Sequence, residues 1–240
     1  MPMLCHEGTV AGDIPRTLAP RDAARAKARL GMQIAGNPLG LASEGTFATG
    51  FGPVVENTEL LLFLDDELGL ELVEGFVGVS ALPQSRRIQN SRDALAFACS
   101  VGFPRQGVIL QTAPDGPPPS VHKNITHLDQ LRDTAERLLS EHGTIVISPD
   151  YRADQAPSRA RTIRGLCVQM AERLATQCPH CHAPGFGRID VERGVPCAPC
   201  GTPTQLIAAD LIGCVACPRR ERQPRDIRRA DPKWCDDCNP

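Results

Sequence analysis

The 240-residue chain has few aromatic residues, little net charge and no long apolar segment. Aromatic side chains make up only 4% of it, with one Trp and one Tyr, so aliphatic side chains have to fill any core. A net charge of −2 does not predict a polyanionic partner for the whole chain. No run approaches the roughly 18 apolar residues of a membrane span. The N-terminal residues also lack the basic and apolar regions of a signal peptide. We therefore expect a cytoplasmic protein without a membrane partner.

Cysteine, proline and glycine are abundant instead. The 22 prolines and 21 glycines predict many turns and irregular connections. Of the 11 cysteines, eight form four Cys-x-x-Cys pairs near the C-terminus: Cys178 and Cys181, Cys197 and Cys200, Cys214 and Cys217, and Cys235 and Cys238. A reducing cytoplasm disfavours disulfides, and this spacing is typical of metal-binding turns.

These four pairs predict two structural zinc sites. Two pairs together supply four thiolates in a tetrahedron, which is a ligand set that zinc favours. Four thiolates leave no position open for a water molecule, so the predicted role of the metal is to fold the tail. His180 and His182 are expected to lie outside the ligand sets.

Which pairs share an ion is left open by the spacing. Pairing of neighbours, first with second and third with fourth, is the favoured arrangement. Crossed pairing, first with third and second with fourth, is an alternative. So is nested pairing, in which the two middle pairs share one ion.

Hydrophobic periodicity predicts helices over residues 21–36, 91–102, 126–143 and 158–176. Ser91 is the predicted N-cap of the second helix, and Thr126 with Asp129 predicts a capping box for the third. Short apolar runs at 39–45, 59–65, 70–79, 107–112 and 144–149 predict strands. This alternation predicts an α/β fold over residues 1–176, with a mixed or parallel sheet covered by helices. Residues 177–240 then form a small cysteine-rich domain resembling a zinc ribbon.

Polar residues gather where the strand at 144–149 ends and the last helix begins. Ligands of open α/β sheets bind at the carboxyl ends of strands, and helix N-termini attract anions. The segment SPDYRADQAPSR therefore predicts a site for a small anionic ligand, phosphate-bearing and nucleotide-like, held by Arg152, Asp154 and Arg159. Ion pairing within this loop is the alternative role for these residues.

Four residues are candidates for catalysis: Glu44, His122, Lys123 and Asp150. Glu44 could join Asp65 and Asp66 in a carboxylate site for Mg²⁺. His122 and Lys123, in the predicted loop VHKNI, combine an acid/base group with an anion-binding group. If the protein is an enzyme, these groups favour a nucleotide or phosphate-ester hydrolase.

A non-enzymatic role is the alternative. The segment from Arg219 to Arg229 contains six arginines and two acidic residues. Such a segment either contacts phosphates or forms a solvated loop, and the shortage of aromatic residues favours the loop. In this alternative the cysteine-rich domain docks protein or nucleic acid, and the first domain is a scaffold.

Several motifs together resemble one known family. They are AARAKARLGM, LGLASEGTF, ELLLFLDDELGLEL, FACSVGFPRQGVIL, VHKNI, SPDYRADQAPSR, CPHCHAPGFG, PCAPCGTPT and CDDCNP. The chain resembles, almost from end to end, an uncharacterised bacterial family described as domain of unknown function 6671. The resemblance implies an α/β domain followed by a cysteine-rich tail, and it implies no activity.

The chain departs from the pattern of that family at several polar positions. Asp154 and Ala156 stand where similar sequences have histidine and asparagine, and Gln106 stands near a further histidine position. If those residues carry the chemistry of the family, we expect an altered activity here. Similar sequences also begin with a further strand and helix, so we expect this chain to be truncated or to have lost that strand.

Overall fold

The computed structural model describes residues 18–49, 55–80, 85–113 and 120–240. The proline-rich segment APDGPPPS, whose composition predicts a loop, lies largely outside these ranges. The described α-helices are α1 (Pro20–Ala35), α2 (Ser91–Val101), α3 (Leu128–His142) and α4 (Pro157–Ala175). The described strands are β1 (Leu39–Thr49), β2 (Val55–Asp65), β3 (Leu70–Ser80), β4 (Arg86–Ile88), β5 (Val108–Thr112), β6 (Val121–Ile125), β7 (Ile145–Pro149), β8 (Gly187–Arg193), β9 (Ile207–Gly213) and β10 (Arg220–Pro224).

All four predicted helices are confirmed, but the predicted N-caps are wrong. Asn90 caps α2, because its side chain accepts a hydrogen bond of 2.9 Å from the Asp93 backbone N–H. Helix α3 begins after His127, whose side chain makes no capping hydrogen bond. The capping box predicted from Thr126 and Asp129 is therefore not formed, and the helix begins one residue later than that box requires.

The predicted parallel or mixed sheet covered by helices is wrong. The four-stranded sheet has the order β4-β7-β5-β6, and each neighbouring pair in it is antiparallel. Two β-α-β units, β4-α2-β5 and β6-α3-β7, are interleaved so that each places a strand between the two strands of the other. Each helix joins strands of the same direction, but the neighbours of every strand run the opposite way.

Strand β6 is the element that the sequence prediction missed. Its sequence, VHKNI, has three polar residues in a row, and this pattern favours a loop. In the structure it pairs with β5, with Leu110 opposite His122 and Val108 opposite Ile125. If β6 is left out, β5, α3 and β7 follow one another as strand, helix and strand, which is the order of a parallel crossover. In the structure β5 and β7 are antiparallel.

One face of this sheet carries the larger core. Ile88, Val108, Leu110, Ile145 and Ile147 of the sheet pack against Ala94, Phe97, Ala98 and Val101 of α2 and Leu131, Ala135 and Leu138 of α3. These are mostly aliphatic side chains, as the shortage of aromatic residues requires. The sheet therefore forms one layer, and α2 and α3 form a second layer packed on one of its faces.

A second sheet, in the order β1-β2-β3, packs against α1. Ala24, Ala28 and Met32 of the helix contact Leu62 and Leu64 of β2. The helix lies so close to β1 that a Cβ on Gly40 would come within 2.8 Å of Met32 Cγ. This contact fixes which face of β1 and β2 points toward α1. The opposite face carries Gly45 of β1 and Glu59 of β2, which lie next to Arg159.

The chain divides into two compact units, Met1–Leu64 with Val73–Val168, and Asp65–Leu72 with Gln169–Pro240. The second unit contains an antiparallel sheet in the order β8-β9-β10. No helix in the described residues is long and apolar enough to cross a membrane.

Candidate metal centres and polar cluster

The eight paired cysteines gather into two groups of four, in which all the Sγ atoms lie within 4.8 Å of one another. Group 1 consists of Cys178, Cys181, Cys214 and Cys217, and group 2 consists of Cys197, Cys200, Cys235 and Cys238. The pairing is therefore crossed, and the neighbour pairing favoured from the sequence is wrong. Each group is compatible with one bound metal ion.

The antiparallel sheet of the second unit explains the crossed pairing. A single strand separates the first three Cys-x-x-Cys turns from one another, β8 between the first and second and β9 between the second and third. Because each strand runs from one end of the sheet to the other, successive turns alternate between the ends. Gly213, which precedes the third turn, pairs across the sheet with Gly187, which follows the first turn, and with Arg220, which follows the third.

The first three turns share one backbone pattern. In each, the first cysteine donates its N–H to the carbonyl five residues later: Cys178 to Ala183, Cys197 to Thr202 and Cys214 to Arg219, at 2.8–3.1 Å. His182 and Gly201 occupy equivalent positions and both have left-handed backbones, with φ of 61° and 77°. His182 thus contributes to a turn, and neither it nor His180 belongs to a thiol group.

Hydrogen bonds favour the thiolate form of one cysteine in each group. The side chain and backbone N–H of Thr202 lower the pKa of Cys200 to about 6. Burial alone would raise the pKa of Cys178, but backbone hydrogen bonds from Cys181 and His180 bring it down to about 7. In group 2, the hydrogen bond with Cys200 and burial raise the pKa of Cys238 to about 12. The pKa of Cys181 in group 1 is also raised to about 12, so each group combines a thiol that ionises readily with one that does not.

The arginines of the basic segment are largely committed to groups within the second unit. Arg219 pairs with Glu221, Arg222 with Glu192 and Arg225 with Asp210, at 2.6–2.8 Å. Arg220 donates to the carbonyls of Cys214, Cys217 and Arg219, and Arg229 donates to that of Cys197. Part of this segment is strand β10, although the sequence suggested a loop.

A polar cluster lies in the first unit, where the loop between β7 and α4 meets two strands. Asp150 is fully buried and accepts hydrogen bonds from Arg152 Nε at 2.9 Å and from the Arg152 backbone N–H at 3.1 Å. Arg152 also donates to Asn124 Oδ1 of β6 at 2.7 Å. The buried side chain of Gln106 donates a hydrogen bond of 2.9 Å to the Asp150 carbonyl and so fixes the start of the loop.

The second half of this cluster is a buried ion pair between α4 and β2. Arg159 Nε and Nη2 donate to the two carboxylate oxygens of Glu59, at 2.8 and 3.0 Å, and Nη1 donates to the Tyr151 carbonyl at 3.0 Å. Glu59 is fully buried and the Arg159 side chain is 10% exposed. Gly45 makes room for the pair, because a Cβ there would lie 2.6 Å from Arg159 Nη2.

Two aromatic side chains lie beside this ion pair. The rings of Phe47 and Tyr151 stack with centroids 4.1 Å apart, and the Arg159 guanidinium lies 5.9 Å from the centre of the Phe47 ring. Burial raises the pKa of Tyr151. We call Phe47, Glu59, Asn124, Tyr151, Asp150, Arg152 and Arg159 together the polar cluster.

The structure brings some of the predicted site residues together and separates others. Asp150, Arg152 and Arg159 belong to the polar cluster, and Asp154 lies nearby in the same loop and accepts a hydrogen bond from Gln155. Glu44 is buried on the face of β1 that points toward α1, where it pairs with Lys27. Because side chains alternate along a strand, Glu44 points away from the face that carries Gly45, Phe47 and the ion pair.

The other predicted residues occupy separate places. His122 Nε2 lies 2.9 Å from Ser120 Oγ, and burial followed by the charge of Arg137 lowers its pKa. Lys123 follows it in β6. Asp65, which the Mg²⁺ hypothesis combined with Asp66 and Glu44, accepts the backbone N–H groups of Glu67 and Leu68 in a turn. In the described ranges, only the two cysteine groups bring three or more candidate ligand residues together.

Sequence reasoning missed Glu59 and Asn57. Both are buried polar residues of β2, at 0% and 8% exposure, in the run VENTELLLFLD. A signal was present, because polar residues two apart within an otherwise apolar strand share one of its faces. Buried carboxylates need a partner, and such a strand therefore predicts a cation from another element.

The family model described as Domain of unknown function (DUF6671) matches residues 27–240. The chain belongs to this family. The match includes both thiol groups and every residue of the polar cluster. No curated protein and no solved structure gives a significant match to the chain.

Removing either partner of the Glu59–Arg159 pair should leave a buried charge without its counter-ion. We expect Glu59→Gln or Arg159→Met to lower the free energy of unfolding by about 3–5 kcal/mol. The double variant should lose about 1–3 kcal/mol less free energy of unfolding than the two single losses added together. Urea denaturation of the four proteins measures this coupling.

The exposed pair Arg219–Glu221 provides the matched control, and the same cycle there should show no measurable coupling. Strictly additive effects of the Glu59 and Arg159 substitutions would contradict a buried, interacting pair.

Proposed function

We propose that the C-terminal unit binds two structural zinc ions. The observation that carries this proposal is the gathering of eight thiols into two groups of four. Four thiolates around one ion are a common ligand set of structural zinc, and they leave no position for a reacting water.

Counting zinc in cysteine variants tests both the metal and the pairing. Cys181→Ser should release one of the two ions, and Cys181→Ser/Cys214→Ser should release the same single ion, because both residues belong to group 1. Cys181→Ser/Cys200→Ser should release both ions. Native mass spectrometry after dialysis against a chelator gives the count.

Cys167→Ser provides the control, because this exposed cysteine of α4 lies outside both groups and should leave both ions bound. Loss of only one ion from the Cys181→Ser/Cys200→Ser variant would contradict the crossed pairing. An absence of zinc from the unmodified protein would contradict the metal assignment itself.

A second role, binding of a small anionic ligand, is proposed for the polar cluster. The observation that favours it is convergence: Gly45 of β1, Asn124 of β6 and the 150–159 loop reach the same cluster. Arg159 lies in the first turn of α4, where the helix dipole also attracts anions. Ala156, which precedes α4, has a methyl side chain that cannot cap the helix.

The charges of the cluster favour binding over catalysis. The carboxylates of Asp150 and Glu59 are already held by arginines, and Glu44 lies on the other face of β1. Arginines of the segment from Arg219 to Arg229 are likewise paired with carboxylates, and this disfavours a phosphate-contacting role for that segment. We therefore place the proposed anion at α4 and not at β10.

Inorganic phosphate is the simplest probe of this proposal. In a ¹⁵N–¹H NMR titration at constant ionic strength, the amide signals of Asn124, Tyr151 and Arg159 should shift and saturate, with a Kd of about 1 mM or lower. An equal ionic strength of chloride should leave them in place. Shifts confined to the arginines of β10, or shifts that never saturate, would contradict the proposed site.

A further inference from the structure

One buried polar atom in the described part of the chain has no hydrogen-bond partner. It is Oδ1 of Asn57, whose side chain lies in β2 with a residue exposure of 8%. A buried acceptor without a donor destabilises a fold and is rare in native proteins. In native proteins such an atom is associated with backbone strain, with a functional role, or with a bound water or ion.

The position of Asn57 relates it to the polar cluster. Asn57 and Glu59 are two residues apart on β2, so their side chains share one face at a spacing of about 7 Å. Strands β1 and β2 are neighbours joined by residues 50–54, and so short a link requires them to be antiparallel. A Cβ on Gly45 would lie 2.5 Å from Glu59 Oε2, so Gly45 faces Glu59 across the two strands. Phe47 is two residues from Gly45 and therefore shares that face of β1.

The Arg159 guanidinium on this face retains donor capacity. Of its five N–H groups, three donate to Glu59 and to the Tyr151 carbonyl. The remaining two have no acceptor in the described chain. Asn57 therefore lacks a donor and two N–H groups of Arg159 lack acceptors. The half-buried ring of Phe47 lies with its centre 5.9 Å from the Arg159 guanidinium.

We propose that Asn57, Arg159 and the stacked Phe47 and Tyr151 form a subsite for an oxyanion that carries a hydroxyl-bearing ring, such as a sugar phosphate. A hydroxyl group donates to Asn57 Oδ1, and phosphate oxygens accept from Arg159. The ring of the ligand packs against the aromatic pair. This inference rests on the anion site proposed above and adds the class of ligand.

The test compares ribose 5-phosphate with inorganic phosphate, both titrated into the full-length, metal-loaded protein. Wild type should bind ribose 5-phosphate at least tenfold more tightly than phosphate. Asn57→Leu keeps the approximate shape of the side chain but removes the acceptor. This variant should bind ribose 5-phosphate and phosphate about equally tightly, with an unchanged Kd for phosphate. Thr58→Val is the control, because Thr58 points to the other face of β2, and it should retain the preference.

The outcomes separate the two proposals. If phosphate itself does not bind, the anion site is wrong, and this inference is lost with it. If phosphate binds but wild type shows no preference for ribose 5-phosphate, or Asn57→Leu retains the preference, the anion site stands and the sugar-phosphate subsite is overturned.

Thermal unfolding without ligand gives a second readout. Because Asn57→Leu removes an unsatisfied acceptor, it should raise Tm by a few degrees. A fall in Tm would mean that the Asn57 amide is already satisfied in the free protein, and this would overturn the subsite.

Discussion

Alternation between the two ends of a three-stranded antiparallel sheet is the constraint on which the C-terminal unit depends. Each strand carries the chain from one end to the other, so the cysteine turns arrive alternately at the two ends. Turns that are neighbours in sequence cannot share an ion under this constraint, and crossed sharing follows. The stretch of chain between the two turns of group 1 therefore overlaps the stretch between the two turns of group 2.

This interlocking compensates for a small apolar core. Four of the cysteines, Cys178, Cys197, Cys214 and Cys235, are among the most buried residues of the unit, beside small side chains such as Ala209 and Ala230. A metal ion in each thiol group, as proposed above, would contribute folding free energy that a larger core otherwise provides. Because these stretches of chain overlap, segments that lie between the turns of one group also lie between the turns of the other.

The first unit carries its polar groups differently. Its aliphatic core lies on one side of the interleaved sheet, and its charged residues are paired in the cluster that joins α4, β2 and the loop after β7. Buried ion pairs contribute more to a defined arrangement than to net stability. The cluster thus holds the Phe47–Tyr151 stack and the Asn57 face of β2 in fixed positions.

Local patterns in the sequence predicted what local forces decide. Helical periodicity located α1 to α4, and the Cys-x-x-Cys spacing identified all eight members of the thiol groups. Non-local pairing was the part that failed. The polar strand β6 has no hydrophobic alternation, so the sequence does not reveal the interleaved β-α-β units or the antiparallel direction of their strands. The pairing of the Cys-x-x-Cys turns depends on the strands that connect them and not on the spacing of the cysteines. Glu59 and Asn57 were overlooked because their partners are distant in sequence.

Cadmium-113 NMR tests the crossed thiol sites most directly. In protein loaded with ¹¹³Cd²⁺, couplings from the metal to the cysteine β-protons identify the ligands of each ion. The structure predicts one signal coupled to Cys178, Cys181, Cys214 and Cys217, and another coupled to the four residues of group 2. A signal coupled to both Cys178 and Cys197 would contradict it.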